Sequence, residues 1–227
     1  MRGEALLALL VRPLAPAEVS AFRRDADALD ARLVRLARGP GAAARLAAAR
    51  DVASSTLSDR GAAAPRAAFA KANALVARFV QEEAPLSLPR VLELAVALEP
   101  RAAGLRAGPA SFSGHPCPPP EDLAALLAPM AEHVEARARE VHPVAGAALA
   151  QQWLVSAHPF ADANGRTARL VADWLLARAG YPPATYPSFG ASLNAVVDHG
   201  REPIAPMSAA LVVLRGVLHT VDLLERT

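Results

Sequence analysis

One cysteine, one lysine, few aromatic residues and no block of like charge stand out in this 227-residue chain. Each shortage removes a class of explanation. Cys117 alone leaves no intramolecular disulfide and no multi-cysteine metal site, and its proline-rich loop setting offers no obvious base to activate a thiol. Lys71 is the single lysine among 24 Lys and Arg residues, and the formal net charge is only +2. Without a run of five like charges, or a basic stripe with interleaved aromatics, a nucleic-acid partner is not indicated. The apolar start, Met1 to Leu10, is interrupted by Glu4 and followed by no cleavage signature. No stretch reads as long enough to span a bilayer. The expectation is therefore a cytoplasmic chain with no membrane partner.

What is present is helical. Hydrophobic residues make up 53% and charged residues 20%, enough for a packed core. Pro16 opens a helix running to Gly39-Pro40, and an alanine-rich segment follows from Ala42 to Val52. Further helices are predicted from Pro65 through Val80 and from Leu88 to Leu98. Residues 100–120, rich in glycine and proline, fit a β-hairpin or an irregular flap instead. A helix then restarts at Pro120 and runs to about Val141, another opens at Pro143 and stops at His158-Pro159, and the next spans Asn164 to Gly180. A last apolar helix covers Pro206 to Leu224, which either packs internally or forms a homodimer face. The predicted fold is all-α, a compact bundle with a short β-hairpin flap, divided into an N-terminal helical extension (1–87) and a core (88–227).

The chemistry concentrates between His158 and Arg169. Proline disfavours helical geometry in the residue before it, which places His158 at a helix end. Its imidazole can take a proton from an incoming hydroxyl. Asn164 and Gly165 tolerate a left-handed backbone that curls N–H groups into an anion nest, backed by the positive end of the next helix. Arg166 and Arg169 lie three residues apart on that helix and suit two successive phosphates. Asp162 offers a hard oxygen to magnesium, while Pro159 and Phe160 anchor the loop. Taken singly, each of these residues is more easily explained as a cap or surface group. The ordered set is not.

This run resembles the Fic family signature HPFx[D/E]GNGRxxR at His158, Pro159, Phe160, Asp162, Asn164, Gly165, Arg166 and Arg169. Ala163 stands where glycine is usual, as it does in the Doc relatives, and the change should be mild because the backbone N–H is kept. The looser similarity extends over roughly residues 100–190. The resemblance implies a compact helical domain that transfers a nucleoside monophosphate, most often AMP from ATP with Mg²⁺, to a hydroxyl of a protein substrate. It assigns His158 as general base and Asp162 as the magnesium ligand. Asn164, Gly165 and Arg166 would hold the α and β phosphates, with Arg169 on the γ phosphate.

It also implies a flap that pins the target backbone by strand addition, here Arg106 to His115 with Phe112 as a side-chain clamp. Many members carry an inhibitory [S/T]xxxE[G/N] helix. The corresponding patch around Ser54, Ser58 and Asp59 lacks the glutamate and reads as a degenerate version of it or as plain helix capping. Tyr181, Tyr186 and Asn194 follow the signature without matching the tyrosine segment that lines the family's nucleobase pocket, so another donor (UMP, GMP, phosphate or phosphocholine) stays open. So do a nucleotide-binding module without transfer and removal of the modification.

Overall fold

A computed structural model describes residues 2–38, 63–112, 115–186, 197–198, 202–203 and 205–226. The alanine-rich segment from Ala42 to Val52 and the patch holding Ser54, Ser58 and Asp59 lie outside the described residues, as does Asn194.

The organising element is the helix from Pro143 to Ala157, of which 13 of 15 residues are buried. Its sequence, PVAGAALAQQWLVSA, has no polar stripe, and a helix that is apolar all round must be enclosed on every side. In chain order the described helices are α1 (Gly3–Leu10), α2 (Pro16–Arg38), α3 (Ala63–Gln81), α4 (Leu88–Leu98), α5 (Leu123–Leu127), α6 (Met130–Glu140), α7 (Pro143–Ala157), α8 (Asn164–Arg178) and α9 (Pro206–Glu225). Around α7 pack α6, α8 and α9, with α1 and α5 making smaller contacts. Helices α3 and α4 cover the far side of α8, and α2 lies against α9. One hydrophobic cluster runs from Leu6 and Leu10 through Phe22, Phe79 and Trp174 to Val221, so both segments of the chain share a core.

Small residues allow α6 and α7 to approach closely. A Cβ on Gly146 would lie 2.7 Å from Ala138 Cβ and 2.9 Å from the Val134 carbonyl oxygen. The α7 N-terminus is capped by His142, whose Nδ1 accepts from Val144 N–H at 3.2 Å. The same ring meets the Tyr181 hydroxyl at 3.2 Å and packs edge-on against Phe22 and Tyr181. His142 is thus a structural histidine.

Several expectations need correction. The amino-terminal apolar run, not predicted as helical, forms α1, with Gly3 N–H donating to Asp122 Oδ2 at 3.0 Å. The helix predicted from Pro120 to Val141 is divided into a 3₁₀ turn, α5 and α6; between α5 and α6, Pro129 has no N–H to continue the ladder. The final helix, α9, is by length and apolar composition able to cross a membrane, contrary to the reading that no stretch is long enough. In this fold it is a core helix, with Met207, Ala210, Val213, Val217 and Val221 buried against α7 and α2. Its apolar face packs internally.

Candidate functional site

The signature residues occupy the junction between α7 and α8. His158 ends α7 with φ 49° and ψ 55°, a left-handed cap; Pro159 excludes helical continuation, and the chain turns left-handed where an extended residue is the commoner outcome. The His158 Nδ1 lies 3.3 Å from the Val155 carbonyl. A carbonyl can only accept, so Nδ1 carries the proton and Nε2 keeps its lone pair. Burial pushes the imidazole pKa below its ordinary 6.5, the Val155 bond opposes this, the Arg106 charge adds to it and Asp162 opposes it. The imidazole is therefore neutral at pH 7, the form that can accept a proton.

Phe160 is 1% exposed and anchors the loop in the core. Its backbone N–H donates to Asn164 Oδ1 at 2.8 Å and its carbonyl accepts from Asn164 Nδ2 at 2.9 Å. The Asn164 side chain is therefore a staple inside the loop, and its backbone N–H lies in the first turn of α8. The left-handed residue of the loop is Ala163, at φ 63°, whereas Asn164 and Gly165 already belong to α8. Gly165 serves by bareness: a Cβ there would meet nothing within 4 Å, so the first turn of α8 is open to an approaching group. That turn starts without a side-chain cap, and the earliest N–H groups of a helix have no intrahelical acceptor. At the positive end of a 15-residue helix, such groups suit an anion.

The two arginines differ. Arg166 reaches Asp162 Oδ1 at 3.5 Å and is partly exposed. Arg169 is more deeply set, its Nε buried without a hydrogen-bond partner. Burial pushes its pKa down, opposed by Asp173 and Tyr186. A buried guanidinium edge left unsatisfied is costly unless an anion completes it. Asp162 Oδ1 also accepts from its neighbour Ala163 N–H at 2.5 Å, and Oδ2 accepts from Arg101 Nη2 at 2.6 Å. No group of three His, Cys, Asp or Glu side chains gathers among the described residues. One half-exposed carboxylate beside a phosphate cradle fits magnesium, which takes few protein ligands and completes its shell with phosphate oxygens and water.

The flap is present as a two-stranded hairpin, β1 (Ser111–Phe112) pairing antiparallel with β2 (His115–Pro116). Phe112 packs beside His158, with the ring centroids 5.6 Å apart and the planes tilted by 36°. Arg106, assigned above to the flap, is instead buried at its root. Of the two tyrosines, Tyr181 is engaged with Asp30 and His142, and Tyr186 packs on Gly216 of α9. Sequence reasoning missed Arg101, whose contact to Asp162 spans 61 positions. No local pattern announces so distant a pair.

Residues 85–176 match the model of the Fic/DOC family. This stretch is a Fic/DOC domain. It contains α4 to α7, the catalytic-type loop, and α8 almost to its end. Over 198 residues the chain is 34% identical to a uridine 5'-monophosphate transferase of Xanthomonas campestris pv. campestris, covering 78% of this chain and 37% of that protein. Over 75 residues it is 48% identical to the protein adenylyltransferase Fic of Drosophila willistoni, covering 33% of this chain and 15% of the relative. The chain thus spans well under half the length of these relatives. Among solved structures, the fold superposes on IbpAFic2 in complex with adenylylated Cdc42 with a TM-score of 0.68 and 18% identity, over 96% of this chain and 75% of that one. Fic-1 of C. elegans gives 0.65 and 18%, over 93% and 72%. At such identities the likeness is one of fold, and it includes the N-terminal helices outside the matched Fic/DOC stretch.

Proposed function

We propose that this chain transfers a nucleoside monophosphate from a nucleoside triphosphate to a Ser, Thr or Tyr hydroxyl of a protein. The observation that carries the proposal is the juxtaposition at one helix junction of a neutral His158 whose Nε2 keeps its lone pair and an uncapped, glycine-bared helix start flanked by two arginines. The first-turn N–H groups of Asn164, Gly165 and Arg166 bind the α and β phosphates, and Arg169 turns its unsatisfied edge to the γ phosphate. Magnesium held by Asp162 would neutralise charge on the phosphates and the departing pyrophosphate. His158 Nε2 takes the proton of the acceptor hydroxyl as its oxygen bonds to the α phosphorus. The bond from the α phosphorus to the bridging oxygen breaks, and pyrophosphate leaves with that oxygen. Such a transfer depends on positioning and charge neutralisation. The β1–β2 edge offers backbone groups to an extended target segment, with Phe112 beside it.

AMP is the reading favoured by the signature and by the 48% match to a protein adenylyltransferase. UMP is the second reading, favoured by the longer match to a uridine 5'-monophosphate transferase, which reaches well past the signature. Incubation with magnesium and α-labelled ATP or UTP, beside a His158→Ala control, tests both. Label on protein with one triphosphate, lost in the control, supports the reading and names the base. Nucleotide binding without label from any triphosphate would make the chain a binding module instead.

A further inference from the structure

Arg106 lies outside the signature and its guanidinium is used entirely on backbone. Its Nε donates to the carbonyl of His158 at 2.7 Å. Nη1 donates to the Gly108 carbonyl at 2.7 Å, and Nη2 to the Pro118 carbonyl. Its own N–H donates to the Pro159 carbonyl at 2.8 Å. Gly108 precedes the hairpin and Pro118 follows it, so a single planar cation closes the root of the flap and ties that root to the base. Cys117 N–H to the Ala110 carbonyl, at 2.9 Å, is the first rung above this closure. The residue is 7% exposed, and its fork geometry is one a lysine cannot reproduce, since three carbonyls are met by three separate nitrogens.

We infer that Arg106 is a positioning residue that makes the flap and the left-handed His158 one rigid unit, so that an acceptor hydroxyl pinned on the flap arrives in line with Nε2. The consequence is a division of labour. The phosphate cradle is built from α8 and does not depend on Arg106, whereas the distance between acceptor and base does. Displacement of about an ångström between reacting groups costs on the order of 10²-fold in rate. The catalytic part of this inference rests on the proposed reading of His158; the mechanical part does not.

The test uses the full chain with Arg106→Met, which keeps the stem length, and Arg106→Lys, which keeps the charge. Both are first shown to fold by cooperative melting. Transfer by both should fall about 10²-fold in kcat, with the KM for the nucleotide changed by less than about threefold. The amides of residue 106 and Cys117 should exchange with solvent at least about tenfold faster than in the parent. A folded Arg106→Met variant with parental protection at those two amides overturns the inference, as does a Lys variant with parental kcat. If neither variant folds, exchange in the parent chain decides. Arg106 and Cys117 amides sharing one protection level support a single unit, and Cys117 exchanging orders of magnitude faster than Arg106 overturns it. Loss of exchange protection in Arg106→Met, combined with unaltered transfer by His158→Ala, would leave the strut standing and remove the assigned base.

Discussion

At the turn into α8, Ala163 holds a conformation that disfavours a Cβ, at φ 63°. A left-handed L-residue costs about 1–2 kcal/mol, yet Ala163 also buries its methyl, worth roughly 0.8 kcal/mol. With the added backbone entropy of glycine, these contributions nearly cancel. Ala163→Gly should therefore sit within about 0.5 kcal/mol of the parent in urea unfolding. Ala168→Gly, at a buried position inside the same helix, should cost about 2 kcal/mol. Equal losses for the two would disprove the left-handed assignment. The His158 imidazole carries a lowered pKa because it is buried. As pH falls, the acid limb of kcat/KM should have its midpoint below the ordinary 6.5. His158→Ala should lose about 10²–10⁴-fold in transfer while retaining nucleotide binding by calorimetry.

Among the elements, α6 and α7 meet along a close seam. A methyl on Gly146 meets a backbone oxygen and another Cβ, neither of which yields easily. Helix propensity favours Gly146→Ala by about 1 kcal/mol, but overpacking costs about 1–3 kcal/mol, so a net loss of up to about 2 kcal/mol in unfolding free energy is expected. The α7 cap supplies a pH signature. Burial holds the His142 pKa below 6.5, with Asp30 opposing. For a histidine whose folded pKa is depressed, the unfolded chain binds more protons, so stability rises with pH. The His142 contribution should be fully present above pH 6.5 and decline as pH falls from there toward the folded pKa. Denaturation midpoints of the parent and His142→Asn, compared between pH 5 and 8, should converge toward acid. Parallel curves would assign the acid sensitivity elsewhere.

For the molecule as a whole, α2 closes the bundle by clasping α9. Arg32 donates to Asp222 and Glu225, both at 2.6 Å. These pairs are largely solvent-facing, and Arg32→Ala should cost no more than about 1 kcal/mol. The buried contacts matter more. Removal of residues 2–38 would uncover partners of Leu6, Leu10, Phe22, Ala26 and Leu29, all essentially buried. A chain starting at residue 63 should therefore lose cooperative melting, even though the matched Fic/DOC stretch begins only at residue 85.

The chain's own sequence determines the helical class, most of the described helix limits and the signature loop. These are local properties: prolines at 16, 143 and 206 open helices, Gly180 at φ 85° follows the end of α8, and the signature is contiguous. Its pattern also marks α7 as the enclosed centre, because no face of that helix is polar. Tertiary structure alone decides which groups meet across sequence. Only folding brings Arg101 to Asp162 and Arg106 to His158, engages the Asn164 side chain as a loop staple, and sets Phe112 beside His158. It also decides that α9, apolar enough to span a membrane, is covered by α7 and α2. Such outcomes depend on which surfaces are buried against one another, and burial is a property of the packed chain rather than of any segment within it.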